Sequence, residues 1–286
     1  MNAFPTRILL ATDGSEDAAQ AREAAADLAR RSGSELHLVH VWHDVPSPYA
    51  HAFVKRELKQ QGQEILDAQV KKIEEAGGTV TADHLRGGRT SDEVIELSEE
   101  LGAGLLVLGS RGHGAVRRIL MGSHSEAIIH HARVPVLVLR RAGDVWPPSR
   151  AVIGDDLSED AKKAAQLAAS IAKLYEAETL LVHAYPSIME KSSGMEVDDA
   201  MRRAEEQFER RANDLKGILG YVPRTVMTSD DAAVALLKAA REGAGPSLVA
   251  VGSRGLGAVG RARLGSVSSK VVRAAPGAAL VYPYTR

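Results

Sequence analysis

Residues 109–123, GSRGHGAVRRILMGS, recur at 252–266 as GSRGLGAVGRARLGS, an offset of 143 in a chain of 286 residues. Between 109–132 and 252–275, 12 of 24 positions are identical, far above chance. The same offset pairs Asp13 with Asp156, His40 with His183 and Ser125 with Ser268. An internal duplication of half the chain constrains the fold more than any other feature. Both halves must reach the same structure, and each is long enough to bury its own core.

Within each half, strand and helix signals alternate. RILLAT (7–12), ELHLVHVW (35–42), TVTADHLR (79–86), GLLVLGS (104–110) and PVLVLR (135–140) read as strands. Between them, 16–32, about 50–76, 90–101 and 123–132 carry helical spacing, with Gly33 and Gly77-Gly78 as stops. The second half repeats the order. Its strands are 151–156, 179–184, 223–228, 247–253 and 278–283, and its helices are 159–175, 196–219, 230–243 and 266–275. Continuous apolar strands alternating with helices predict a parallel sheet covered on both faces. The expected division is a first domain at 1–141, a linker at 142–149 containing Pro147-Pro148, and a second domain at 150–286. Charged helices such as RRAEEQFERR (202–211) read as solvated faces.

Composition removes several function classes. A net charge of −1 and 4% aromatic residues argue against nucleic-acid binding, which needs a basic face or stacking platforms. The chain has no cysteine, so disulfides, thiolate metal sites and cysteine nucleophiles are excluded. No apolar run reaches the roughly 18 residues of a membrane span, and no signal peptide is recognisable. The expectation is a cytoplasmic protein with no membrane contact.

What both copies keep best is a glycine–hydroxyl loop, G-x-x-G-(x)9-G-S. It is Gly109, Gly112, Gly122 and Ser123 in the first half, and Gly252, Gly255, Gly265 and Ser266 in the second. Glycines let the backbone approach a ligand and adopt positive φ, so that successive N–H groups point at one anion. Ser123 and Ser266 open predicted helices, whose unpaired N–H groups and dipole favour phosphate. Ser125 and Ser268 add hydroxyl donors in the first turn. Asp13 and Asp156 end the first strand of each half. A carboxylate there can take a ribose hydroxyl, hold Mg²⁺ beside phosphates, or simply cap the following helix.

The spaced motif lies after V-L-G-S and ahead of S-x-S, with the opening strand I-L-x-x-T-D-x-S-E. In this it resembles the universal stress protein family, in two copies covering nearly the whole chain. The resemblance implies an α/β fold of two tandem open five-stranded parallel-sheet domains, Rossmann-like, with helices on both faces. It also implies ATP as ligand. Carried over residue by residue, Asp13 and the backbone of Val41 flank adenosine, while Gly109, Gly112, Gly122, Ser123 and Ser125 hold the phosphates. In the second copy the corresponding residues are Asp156 and Ala184, then Gly252, Gly255, Gly265, Ser266 and Ser268. Three positions depart from the family pattern. Gly104 stands where Asp is frequent, His124 where a small apolar residue is usual, and Ala184 where Val is common.

Other motifs weigh less. Gly255–Gly260 matches G-x-G-x-x-G, but the first copy has Arg117 at the third glycine position. No phosphate-loop NTPase motif or hydrolase elbow occurs. His40 and His183 lie inside apolar strands and read as hydrogen-bonded core histidines. Arg111 and Arg254 follow the loop strand in both copies, and the sequence leaves open phosphate neutralisation or bridging of the halves.

The expected function is adenine-nucleotide binding and sensing in a stress response. The alternatives are a slow Mg²⁺-dependent ATPase or nucleotidyl-transfer enzyme, and a nucleotide-free scaffold. No catalytic residue is identified, since no general base or arginine finger accompanies the loop. The closing strands, with Leu137 and Leu280, are apolar and are expected to pair as an intrachain pseudo-dimer, with a homodimer as a further option.

Overall fold

The computed structural model describes residues 4–43, 52–110, 121–140, 145–186, 195–254 and 264–284. The chain forms two compact units, one from residues 3–143 and one from 144–286, here domain 1 and domain 2.

Domain 1 runs β1 (Arg7–Ala11), α1 (Ala19–Ser32), β2 (Glu35–Trp42), α2 (Ala52–Glu75), β3 (Ala82–Gly87), α3 (Thr90–Glu100), β4 (Leu105–Gly109), α4 (Ser123–His131) and β5 (Val136–Leu139). Its strands lie in the order β3-β2-β1-β4-β5, all parallel. Domain 2 runs β6 (Arg150–Gly154), α5 (Glu159–Leu174), β7 (Glu178–Ala184), α6 (Met195–Leu219), β8 (Arg224–Thr228), α7 (Ala232–Arg241), β9 (Ser247–Gly252), α8 (Ser266–Ala274) and β10 (Ala278–Tyr282). Its strand order is β8-β7-β6-β9-β10, again all parallel.

The order reverses between β1 and β4 in domain 1, and between β6 and β9 in domain 2. Both crevices open at the carboxyl ends of these strands, where open α/β sheets take their ligands. The helices divide between the two faces. In domain 1, α1 and α2 pack together, and α3 packs with α4. In domain 2 the pairs are α5 with α6 and α7 with α8.

The core follows the sequence pattern. Ile8, Leu9 and Leu10 of β1 and Leu105, Leu106 and Val107 of β4 are fully buried. Side chains buried on both faces of a strand explain the unbroken apolar runs. Alanines set how closely the helices approach: Ala21, Ala24 and Ala25 in α1, and Ala164, Ala168, Ala169 and Ala172 in α5, are all fully buried. Gly33 ends α1 at φ 72°, a left-handed cap that suits glycine.

Some expected boundaries shift. The helix expected at 16–32 opens with a 3₁₀ turn, Glu16–Ala18, before α1 proper. The strand expected at 79–86 begins at Ala82. Gly77, at φ 79°, and Gly78 end the preceding helix, and residues 79–81 cross from helix to sheet. Part of the expected linker, 142–144, lies outside the described residues, whereas Ser149 already bonds to Ala244 O and Pro246 O of domain 2. Among the described residues, no helix is long and apolar enough to cross a membrane.

The reading of 202–211 as a solvated face needs correction at its last residue. Arg211 is 7% exposed, and Phe208 is buried beside it. The guanidinium turns inward because it meets the buried carboxylate of Asp155, 3.7 Å away.

Candidate functional site

Each domain has a cavity over its strand-order switch. In domain 1 it measures about 630 Å³ and is lined by Asp13, Val41, Gly109, Gly122, Ser123 and Ser125, among others. In domain 2 it measures about 400 Å³ and is lined by Asp156, Ala184, Gly252, Gly265, Ser266 and Ser268. The fold thus brings twelve of the fourteen residues singled out in the sequence to two equivalent cavities. The other two, Gly112 and Gly255, lie outside the described residues, as does Arg111.

The loop ends are tied to the sheet. Ser110 N donates to Leu139 O, and Gly122 N returns to Ser110 O, each at 2.8 Å. Ser253 N donates to Tyr282 O at 2.7 Å, and Gly265 N to Ser253 O at 2.8 Å. The chain therefore leaves the sheet and comes back at one point. α4 and α8 start there, capped by Gly122 and Gly265, which have no side chain to satisfy the first N–H groups. Ser123 and Ser266, both exposed, open these helices at the cavity wall.

Two details differ from the sequence reading. Gly122 (φ −75°) and Gly265 (φ −62°) are extended, so positive φ is not what these glycines supply. Gly252 instead answers close packing: a Cβ there would stand 3.2 Å from Ala161 N at the start of α5. The hydroxyls of Ser125 and Ser268 donate to Gly109 O (2.9 Å) and Gly252 O (2.7 Å). Their hydrogens are committed to the strand ends, and they fix each helix start over its strand.

The aspartate loops are built alike. Asp13 Oδ1 accepts from Ser15 N (3.0 Å) and Ser15 Oγ (2.6 Å), and Asp156 Oδ1 accepts from Ser158 N (3.1 Å) and Ser158 Oγ (2.6 Å). The serines, not the aspartates, cap the next helical turn, accepting from Ala18 N and Ala161 N. Beneath each loop lies a buried histidine. His40 Nδ1 donates to Thr12 O at 2.9 Å, and His183 Nδ1 to Asp155 O at 2.7 Å. Both are the hydrogen-bonded core histidines that their strands suggest.

Domain 2 adds Asp155, which lines the cavity and is 2% exposed. Burial pushes its carboxyl up from the usual carboxylate range, against the pull of Arg211 and of the Leu157 N–H. Arg211 also donates to Leu157 O (3.0 Å) and Ser158 O (2.8 Å), pinning the aspartate loop to α6. Arg254 lines the same cavity and stacks over Tyr284, 5.3 Å from the ring centre. The sequence did not point to Ile65, Thr90 and Val94 in domain 1, or to Ala232 and Leu236 in domain 2. They come from the apolar faces of helices, which look like ordinary core.

Among the described residues, no group of three or more His, Cys, Asp or Glu could hold a metal ion. Mg²⁺ commonly binds through one or two carboxylates with phosphates and water completing the shell. A lone Asp13 or Asp156 fits it only in that way.

The model of the Universal stress protein family matches residues 5–140 and again 149–283. Universal stress protein Rv2005c of Mycobacterium tuberculosis is 30% identical over 285 residues, covering 94% of each chain. Universal stress protein MJ0531 of Methanocaldococcus jannaschii is 31% identical over 140 residues, which is 47% of this chain and 82% of that protein. The crystal structure of a universal stress protein from Archaeoglobus fulgidus superposes with a TM-score of 0.73 at 25% identity, covering 99% of both chains. Matched twice by the family model and along nearly its whole length by a relative of similar extent, the chain belongs to the universal stress protein family, with two such domains in tandem.

Proposed function

We propose that each domain binds one adenine nucleotide, ATP foremost, and that the bound nucleotide sets the conformation or partner the protein presents under stress. One observation carries this reading. Residues from three separate stretches of each repeat converge on one cavity, at the strand-order switch, in both domains. Asp13 and Asp156 would take the ribose, and the β2 and β7 ends at Val41 and Ala184 the base. The first N–H groups of α4 and α8, with Ser123 and Ser266, would take the phosphates. Ser125 and Ser268 would act by holding those helix starts in place. Arg254, in the wall of the domain 2 cavity, would neutralise phosphate charge there. Mg²⁺ would arrive on the phosphates and lean on a single aspartate.

Ground-state contacts to phosphate give affinity without rate. Turnover is therefore expected below about 1 s⁻¹, the low end for enzymes. Calorimetry with ATP and Mg²⁺ should give two sites per chain. Gly122 is extended, so Gly122→Glu suits the backbone while putting a carboxylate where phosphate would lie. It should remove one site, and Gly265→Glu the other. Absence of binding to wild type would sink the proposal, and unchanged titrations of both variants would move the phosphate site elsewhere.

A further inference from the structure

The two cavities differ in histidine. His43, just past β2, and His124, in the first turn of α4, both line the domain 1 cavity. Their ring centroids are 5.9 Å apart, with planes at 56°. Both are exposed, and they flank the helix start formed by Gly122, Ser123 and Ser125. At the same offset, domain 2 has Pro186 and Val267. We infer that His43 and His124 form a proton-accepting clamp on the phosphates of a nucleotide, which makes ligand binding at domain 1 proton-linked and leaves domain 2 without that linkage. The inference rests on the proposed nucleotide site and adds its regulation.

The physical argument is charge linkage. An imidazole ordinarily titrates near 6.5, and an anion within reach favours its charged form. A phosphate chain at the mouth of α4 brings its charge beside both rings. Binding then draws protons onto them, and by reciprocity a lower pH tightens binding. Among the described residues, other titratable groups also line this cavity. Asp13, after β1, and Glu126, in α4, are its carboxylates. His40 of β2 is buried and already donates to Thr12 O. Among the described residues, α2 brings Ile65 to the cavity and α3 brings Thr90 and Val94, none of them titratable. A carboxyl ordinarily titrates well below the window from pH 8 to 6. Among the described lining residues, the exposed imidazole pair is what can respond within it.

The test uses the full chain with one site silenced at a time. In the Gly265→Glu chain, the affinity of domain 1 for ADP should rise from pH 8 to pH 6, about sixfold for each imidazole raised by one unit from the ordinary 6.5. Calorimetry at pH 7 in two buffers of different ionisation heat should show proton uptake. In the Gly122→Glu chain with Asp155→Asn added, which removes the titratable carboxyl from the domain 2 wall, domain 2 meets the same ligand and corrects for the titration of ADP itself. His43→Gln with His124→Val should bring the pH response of domain 1 down to that of domain 2. Val267→His should give domain 2 part of the response. Adenosine, which lacks phosphate, should bind with no pH dependence at either site. Binding at domain 1 with the same pH response as domain 2, or a response that survives loss of both histidines, overturns the clamp and leaves the nucleotide site standing. No ADP binding at any pH overturns both.

Discussion

The same four-residue loop closes the first strand of each domain, and the two copies are held by different means. In domain 1 it reads Thr12-Asp13-Gly14-Ser15, in domain 2 Asp155-Asp156-Leu157-Ser158. The third residue adopts a left-handed backbone in both, at φ 79° for Gly14 and 69° for Leu157. Glycine takes that conformation at no steric cost, whereas an L-residue loses roughly 1–2 kcal/mol. Domain 1 uses the missing side chain: Ile65 of α2 sits where a Cβ would be, 2.6 Å from it. Domain 2 tolerates the leucine because Arg211 grips the carbonyls of Leu157 and Ser158 from α6. Conserving a loop's shape does not require conserving what enforces it. In domain 1 the enforcement is steric, from Ile65 of α2, and in domain 2 it is electrostatic, from Arg211 of α6.

Breaking the electrostatic version should have the largest effect. Asp155 has no exposed side-chain surface and Arg211 only 8%. Asp155 Oδ2 and Arg211 Nη1 lack hydrogen-bond partners among the described residues, so the pair is already loosely satisfied. Arg211→Ala leaves a buried carboxylate uncompensated, a loss of about 3–5 kcal/mol in comparable pairs. Domain 2 can be followed through Trp146, with Trp42 of domain 1 replaced by Phe, in urea unfolding. Adding Asp155→Thr, which copies Thr12, should restore much of the loss. A change under about 1 kcal/mol in the single variant would mean that Arg211 is not what holds the loop.

Gly14→Ala comes next. It forces an L-residue to positive φ, for roughly 1–2 kcal/mol. It also drives a Cβ into Ile65, and overpacking of this kind adds about 1–3 kcal/mol. Ile65→Val in the same chain relieves only the second part, so the pair of variants separates strain from crowding. If Gly14→Ala unfolds at the wild-type urea midpoint, the steric account of domain 1 fails.

Much of this contrast was invisible in the sequence, and the reason is physical. The duplication, the parallel sheet and the glycine–serine loop follow from periodicity and spacing, which are local. Asp13 and Asp156 stand out because strand ends are where such sheets bind ligands. Asp155 looked like a neighbour of Asp156, and Arg211 like one charge in a polar helix. Only the packing of α6 against α5 makes them partners. Leu157 gave no sign of positive φ, since leucine has no preference for it. Ser125 and Ser268 show the reverse case: their positions were legible, but the direction of each hydroxyl depends on a strand carbonyl sixteen residues earlier.

A smaller effect comes from pH. Burial raises the Asp155 carboxyl in the folded domain. Between the ordinary carboxylate value near 3.9 and that raised value, the folded state holds more protons than the unfolded one. Domain 2 should therefore lose part of its stability as pH rises through this window, the opposite of a salt-bridged aspartate with a lowered value. Asp155→Asn should flatten the dependence. Domain 1, with Thr12 in that place, should lack it. A domain 2 stability that rises with pH across the window, and does so equally in Asp155→Asn, would remove Asp155 from the account.

Leu157→Gly should give the smallest change, and its coupling to Arg211 is the sharpest measure of the comparison. Glycine relieves roughly 1–2 kcal/mol of left-handed strain. It also costs about 0.5–1 kcal/mol in the greater freedom of the unfolded chain, and the half-buried leucine side chain is lost. The net gain should stay below about 1 kcal/mol. If Arg211 is what holds the strained loop, removing it allows the loop to relax and the leucine to leave positive φ. Glycine then has less strain to relieve. Leu157→Gly should therefore stabilise the wild-type chain more than the Arg211→Ala chain, a coupling that a double-mutant cycle reads directly. Additive effects would mean that the left-handed turn is set by the strand end and the Ser158 cap alone. In that case Arg211 would serve only the charge of Asp155.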